Sequence, residues 1–142
     1  MTTTNRHLIA AARDYFQSLR LARASGGATG ERSTYVALAN LLDAIGGALR
    51  PKVFCVAELA DQGAGRPDMG LYSAHQVQGG RPRQGQTPER GVVEVKAPDD
   101  NTWLTAHSDQ VSGYWSLYRL VLVGTDVASI PFPHQDELVS TR

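Results

Sequence analysis

The sequence predicts an α/β domain with a small mixed sheet of about four strands and helices on its faces. Three observations lead there. Apolar residues recur at helical spacing in two stretches before residue 50, β-branched and aromatic runs follow, and one more helical stretch separates the last two of those runs.

Asn5 to about Arg23 reads as the first helix, with Leu8, Ala12, Tyr15, Phe16 and Leu19 at three- and four-residue spacing and Thr4 or Asn5 as N-cap. The glycine-rich stretch 24–30 ends it. A second helix runs from Glu31 or Ser33 to about Ala48, with Leu38, Leu41, Leu42, Ile45 and Leu49 as its apolar stripe. Glu31 stands at the top of that stripe, where a carboxylate is also favoured simply by the helix dipole. Pro51 closes the helix and Val53 to Glu58 forms a strand. A second strand begins near Asp68 and ends at Ser73. Residues 74–90 are rich in Gly, Pro, Gln and Arg without periodicity and read as a long mobile connection, from which Arg81, Arg83 and Arg90 are free to reach a phosphate backbone. After a strand over 91–98 and a turn at 99–102, a helix capped by Ser108 carries Gln110, Val111, Tyr114, Trp115 and Tyr118. Val121 to Val123 is a short buried strand ended by Gly124 and Thr125; residues 1–125 form the domain and 126–142 a polar tail or linker.

Composition narrows the function classes. The single cysteine, Cys55, lies in an apolar run without a partner, which suits a reducing compartment and a thiol used as a small hydrophobe. The N-terminus lacks an apolar signal region and no stretch approaches the ~18 apolar residues of a membrane span, so a cytoplasmic protein with no membrane partner is expected. Zero net charge argues against a protein that coats nucleic acid. Residues 1–52 nevertheless hold seven basic side chains against three acids, while the remainder holds seven against eleven. Such a split suits one flank that touches a polyanion and a centre that holds a cation. His7, His75, His107 and His134 show no metal-ligand spacing, and the Gly63-x-Gly65 pair lacks the helix of a phosphate-cradling loop.

The chemistry converges on Gly91-Val92-Val93-Glu94-Val95-Lys96-Ala97-Pro98. Alternation puts Val93, Val95 and Ala97 on one strand face and Val92, Glu94 and Lys96 on the other. If the strand beginning at Asp68 is its neighbour, two carboxylates meet. At about 4 Å they repel by roughly 4 kcal/mol at an effective dielectric near 20, a cost that a divalent cation offsets. Oxygen ligands suit Mg²⁺, and Lys96 is placed to orient or deprotonate a water and to stabilise charge on a phosphorus centre.

Pro67-Asp68 followed, after 25 intervening residues, by Glu94-Val95-Lys96 resembles the signature of the PD-(D/E)XK nuclease superfamily. More narrowly, Gly65-Arg66-Pro67-Asp68, Glu94-Val95-Lys96-Ala97-Pro98 and Ser108-Asp109-Gln110 with Tyr114 and Tyr118 are similar to the N-terminal nuclease domains of restriction-modification enzymes, fused ahead of a helicase or an adenine methyltransferase. The resemblance spans about residues 31–125. It implies a restriction-endonuclease-like fold and Mg²⁺-dependent cleavage of double-stranded DNA. Asp68 and Glu94 are then metal ligands, Lys96 the catalytic lysine, Glu31 an outer ligand and Gln110 a further catalytic-site residue, with Arg66, Arg81 and Arg83 as DNA contacts. The competing expectation is a catalytically silent DNA-binding or docking module of a larger assembly.

Overall fold

The computed structural model describes residues 2–24, 31–57, 59, 63, 65–96 and 106–125, with the side chains of 23, 31–33 and 125 excepted. Helix α1 (Thr3–Ala24) and helix α2 (Glu31–Ala48) are followed by strands β1 (Val53–Ala57) and β2 (Met69–Ser73). A 3₁₀ turn (Ala74–Gln76) leads into a ribbon of β3 (Val77–Gln78) and β4 (Arg81–Pro82). Strand β5 (Val92–Lys96), helix α3 (Asp109–Tyr118) and strand β6 (Val121–Thr125) complete the described elements.

The main sheet has the order β1-β2-β5-β6, with β1-β2 and β2-β5 antiparallel and β5-β6 parallel. A parallel pair needs a crossover, and α3 supplies it. This is a small mixed four-stranded sheet flanked by helices, as expected.

Each face of β5 is buried by a different helix. Val93 and Val95 join Met69 and Ala39 in one core cluster, against which Tyr35, Leu38, Leu42, Cys55, Ala57 and Leu71 pack. Val92 faces the other way, into a cluster with Tyr114 and Tyr118 of α3. Helix α1 buries Tyr15 and Leu19 against Ala37, Leu38 and Leu41 of α2. Leu19 is almost wholly enclosed, worth about 2 kcal/mol by area. Among the described residues no helix is long and apolar enough to cross a membrane.

The structure departs from expectation in four places. The second strand starts at Met69, so Asp68 stands one residue before it. The last strand includes Gly124 and Thr125, and Leu122 is half exposed, because at the sheet edge it lies outside the cluster that α2 forms over β2 and β5. The connection over 74–90 is structured, not a featureless loop. Gly79 and Gly80 both have positive φ, at 59° and 76°, which a tight two-residue hairpin between Gln78 and Arg81 requires. Buried Gln76 then ties the segment together: its Oε1 accepts from Ser73 N and Glu89 N, and its Nε2 donates to Gln86 Oε1 and Thr87 O. The amide of one long polar side chain thus satisfies main-chain groups that a buried loop would otherwise leave unpaired. Finally, α1 begins at Thr3, so Thr4 and Asn5 lie inside the helix, and Thr2, whose Oγ1 accepts from Asn5 N, stands at the cap position instead. Glu31 opens α2 as expected; its side chain, Glu58, the turn at 99–102 and residues 126–142 lie outside the described residues.

Gly91 joins the ribbon to β5 at φ 108°, and a Cβ there would meet Leu120 O at 2.6 Å, next to the Val92 N to Leu120 O hydrogen bond that sets β5 against β6. Gly91→Ala therefore incurs both backbone strain and a main-chain clash, and is expected to cost about 2–4 kcal/mol in urea unfolding. Gly79→Ala, at φ 59° with open space around it, should cost only about 1 kcal/mol.

Candidate functional site

Register explains how the two carboxylates meet. Met69 pairs with Val93 and Gly70 with Val92, so carrying the antiparallel ladder one residue further sets Asp68 across from Glu94. Asp68 Oδ2 accepts from Val95 N at 2.7 Å, which fixes the aspartate against β5 just where regular pairing stops. Pro67 before it is buried, and Gly65 (φ 100°) passes so close to α3 that a Cβ would lie 3.3 Å from the Tyr114 ring.

Glu94 is 4% exposed and projects to the α3 side of the sheet. Its Oε1 accepts from Lys96 Nζ at 2.7 Å and from Gln110 Nε2 at 3.3 Å, and Gln110 Nε2 also donates to Tyr114 Oη at 2.8 Å. Gln110, Tyr114 and Tyr118 follow at four-residue spacing, so α3 lays one stripe over Val92 and Glu94. Ser108 holds the start of that helix, its hydroxyl accepting from Val111 N.

Electrostatics follow from this packing. Burial raises the Glu94 carboxyl above its ordinary value; the Lys96 hydrogen bond opposes that, and the charge of Asp68 adds to it. The Asp68 main chain lies near enough to favour the Glu94 charge, yet Glu94 Oε2 is buried without a partner at hydrogen-bonding geometry among the described residues. Lys96 is shifted upward, chiefly by its hydrogen bond to Glu94 with Asp68 adding to it. The expected choice between orienting and deprotonating a water is thereby narrowed: an ammonium beside two carboxylates donates and does not take a proton. Burial also raises the Tyr114 hydroxyl.

Asp68, Glu94, Lys96 and Gln110 are therefore brought together. Arg66, two residues before Asp68, is exposed beside them. Arg81 and Arg83 are exposed on the ribbon, which leaves from the far end of β2, roughly 17 Å from Asp68 by strand rise. Two oxygen-bearing acids are what the described residues offer a cation; no group of three or more His, Cys, Asp or Glu is poised for a metal among them. Those two offer the oxygen donors that a hard divalent ion prefers: the register brings Asp68 alongside Glu94, and Glu94 Oε2 is buried with no hydrogen-bond partner among the described residues. Tyr114 escaped the sequence reading as a hub, although its spacing from Gln110 was visible. Cys55 is poorly suited to act as a nucleophile: burial, with Asp43 nearby, pushes its thiol up to about 12, and its Sγ lies 3.9 Å from Met69 Sδ.

Lys96→Met leaves the Glu94 carboxylate buried beside Asp68 without its cation, and should destabilise the domain by roughly 3 kcal/mol at pH 7, with Glu94→Gln in the same chain recovering most of the loss. The sign with pH follows from the raised carboxyl: the penalty is absent below its ordinary 4.5 and complete once pH exceeds the higher folded value. Chemical unfolding of Lys96→Met should therefore show stability recovering as pH falls through that window. No family model, curated protein or solved structure matches the chain, so the functional reading of the cluster stands on its chemistry.

Proposed function

We propose that the chain is a Mg²⁺-dependent DNA endonuclease domain with a restriction-endonuclease-like core, of the PD-(D/E)XK type its motifs resemble. The observation that carries this reading is the register that sets Asp68 against buried Glu94, with Lys96 and Gln110 on the same carboxylate. Asp68 and Glu94 would hold the cation, which when bound neutralises charge on the phosphodiester and makes a water more acidic.

The chain's own groups do the rest. Lys96, kept protonated by its neighbours, turns its ammonium from Glu94 to a non-bridging phosphate oxygen as negative charge grows there. Water oxygen bonds to phosphorus as its proton passes to bulk water, the bridging P–O bond breaks, and the departing oxygen takes a proton from solvent. Gln110, anchored by Tyr114, holds the Glu94 carboxylate in place. Arg66 meets phosphates near the cut, while Arg81 and Arg83 reach the backbone about five base pairs away, given the ~17 Å strand span. A helicase or methyltransferase, fused or associated, would supply sequence choice.

One observation favours a silent docking module instead: Glu94 Oε1 is already neutralised by Lys96, and Asp68 is engaged by Val95 N–H. Cleavage and cation binding decide between the two. The protein, alone or with its neighbouring domains, should cut plasmid DNA with Mg²⁺, and Asp68→Ala or Lys96→Ala should lower the rate by about a hundredfold or more. Full cleavage by both variants sinks the proposed site, whereas no Mg²⁺-induced rise in melting temperature together with no cleavage favours the silent module.

A further inference from the structure

The outer face of α1 carries a row of guanidiniums that the site does not use. Arg6, Arg13 and Arg20 are spaced seven residues apart, and seven residues fall only about 20° short of two helical turns, so the three share one face. That face is opposite the one that buries Tyr15 and Leu19 against α2. All three arginines are exposed, and none of their side chains makes an ion pair or hydrogen bond among the described residues. The sole acid in α1, Asp14, stands about a quarter-turn or more away from each of them. Arg13 and Arg20 also border a surface hollow of about 600 Å³ together with Phe16, Gln17, Leu21 and Ala24.

We infer that this face of α1 is a second nucleic-acid contact, docking the phosphate backbone of duplex DNA apart from the cleavage site. At 1.5 Å per residue the row extends roughly 21 Å, the axial length of about six base pairs. A compact anion needs converging donors; guanidiniums set about 10 Å apart in line match an extended polyanion instead. A membrane surface is disfavoured because Tyr15 and Leu19, the core of the apolar stripe of α1, are buried on α2, and only Phe16 and Leu21 remain exposed beside the arginines, too little apolar surface to insert a helix. Preference for DNA over an acidic polypeptide rests on the nuclease reading; the row itself does not. Because α2 covers the face of the sheet opposite Glu94, DNA held here is anchored rather than cut.

The test measures binding without divalent cations, by fluorescence anisotropy of a labelled 24-base-pair duplex over a range of salt. Replacing Arg6, Arg13 and Arg20 together by Gln should weaken binding at least about tenfold and reduce the slope of log affinity on log salt by about 2–3. Replacing the same three by Lys should restore the slope, which a folding defect would not allow. An unchanged slope in the Gln variant, no duplex binding by the wild type, or equal binding to polyglutamate or to phosphatidylserine vesicles would each overturn the inference. A wild-type chain that binds the duplex through α1 but neither cleaves it nor gains melting temperature with Mg²⁺ refutes the nuclease reading alone.

Discussion

Everything at the site depends on where the β2-β5 ladder stops. Regular pairing ends after Met69 and Val93, and the next residue on one strand spends its side chain on the other strand's main chain: Asp68 Oδ2 takes the Val95 N–H. A side-chain bond thus continues the ladder where a main-chain bond would have been. Had β2 run one residue further in regular pairing, Asp68 would have projected as an ordinary strand side chain. A slip of a single residue would turn Glu94 toward α2 and Val93 toward α3, so the core fixes the polar cluster as firmly as it fixes itself.

Holding Glu94 in so enclosed a position is costly, and three groups share the task. Lys96 supplies charge, Gln110 a neutral donor, and Tyr114 fixes Gln110 while packing under Gly65. The tyrosine therefore links the loop before Asp68 to the helix that orients Glu94. One aromatic ring couples two segments far apart in sequence. Such coupling makes the two acids mutually dependent: displacing the loop disturbs the support of the glutamate on the neighbouring strand.

Much of this was legible beforehand because the signals were periodic. The alternation of Val92, Val93, Glu94, Val95 and Lys96 assigns the faces of β5 correctly, and the spacing of Gln110, Tyr114 and Tyr118 identifies the buried stripe of α3. Ser108 marks the helix start. The order of structure over 74–90 was hidden because it rests on a glutamine amide serving distant main-chain groups and on Glu89 reaching back to Ser73 and His75, contacts that have no sequence period. Its one visible sign was Gly79-Gly80, a hairpin pair between two short runs. The direct contact of Lys96 with Glu94 was also illegible, since alternation gives a face but not which rotamer a long side chain adopts.

The cysteine has a practical corollary. With its thiol held protonated well beyond neutral pH and its sulfur lodged against Met69, Cys55 offers little thiolate to alkylating reagents or to air. At neutral pH the native thiol is therefore a slow competitor in thiol chemistry. A cysteine introduced on an exposed turn would take a maleimide dye or spin label nearly alone, which opens the domain to distance measurements without first removing the residue that nature placed there.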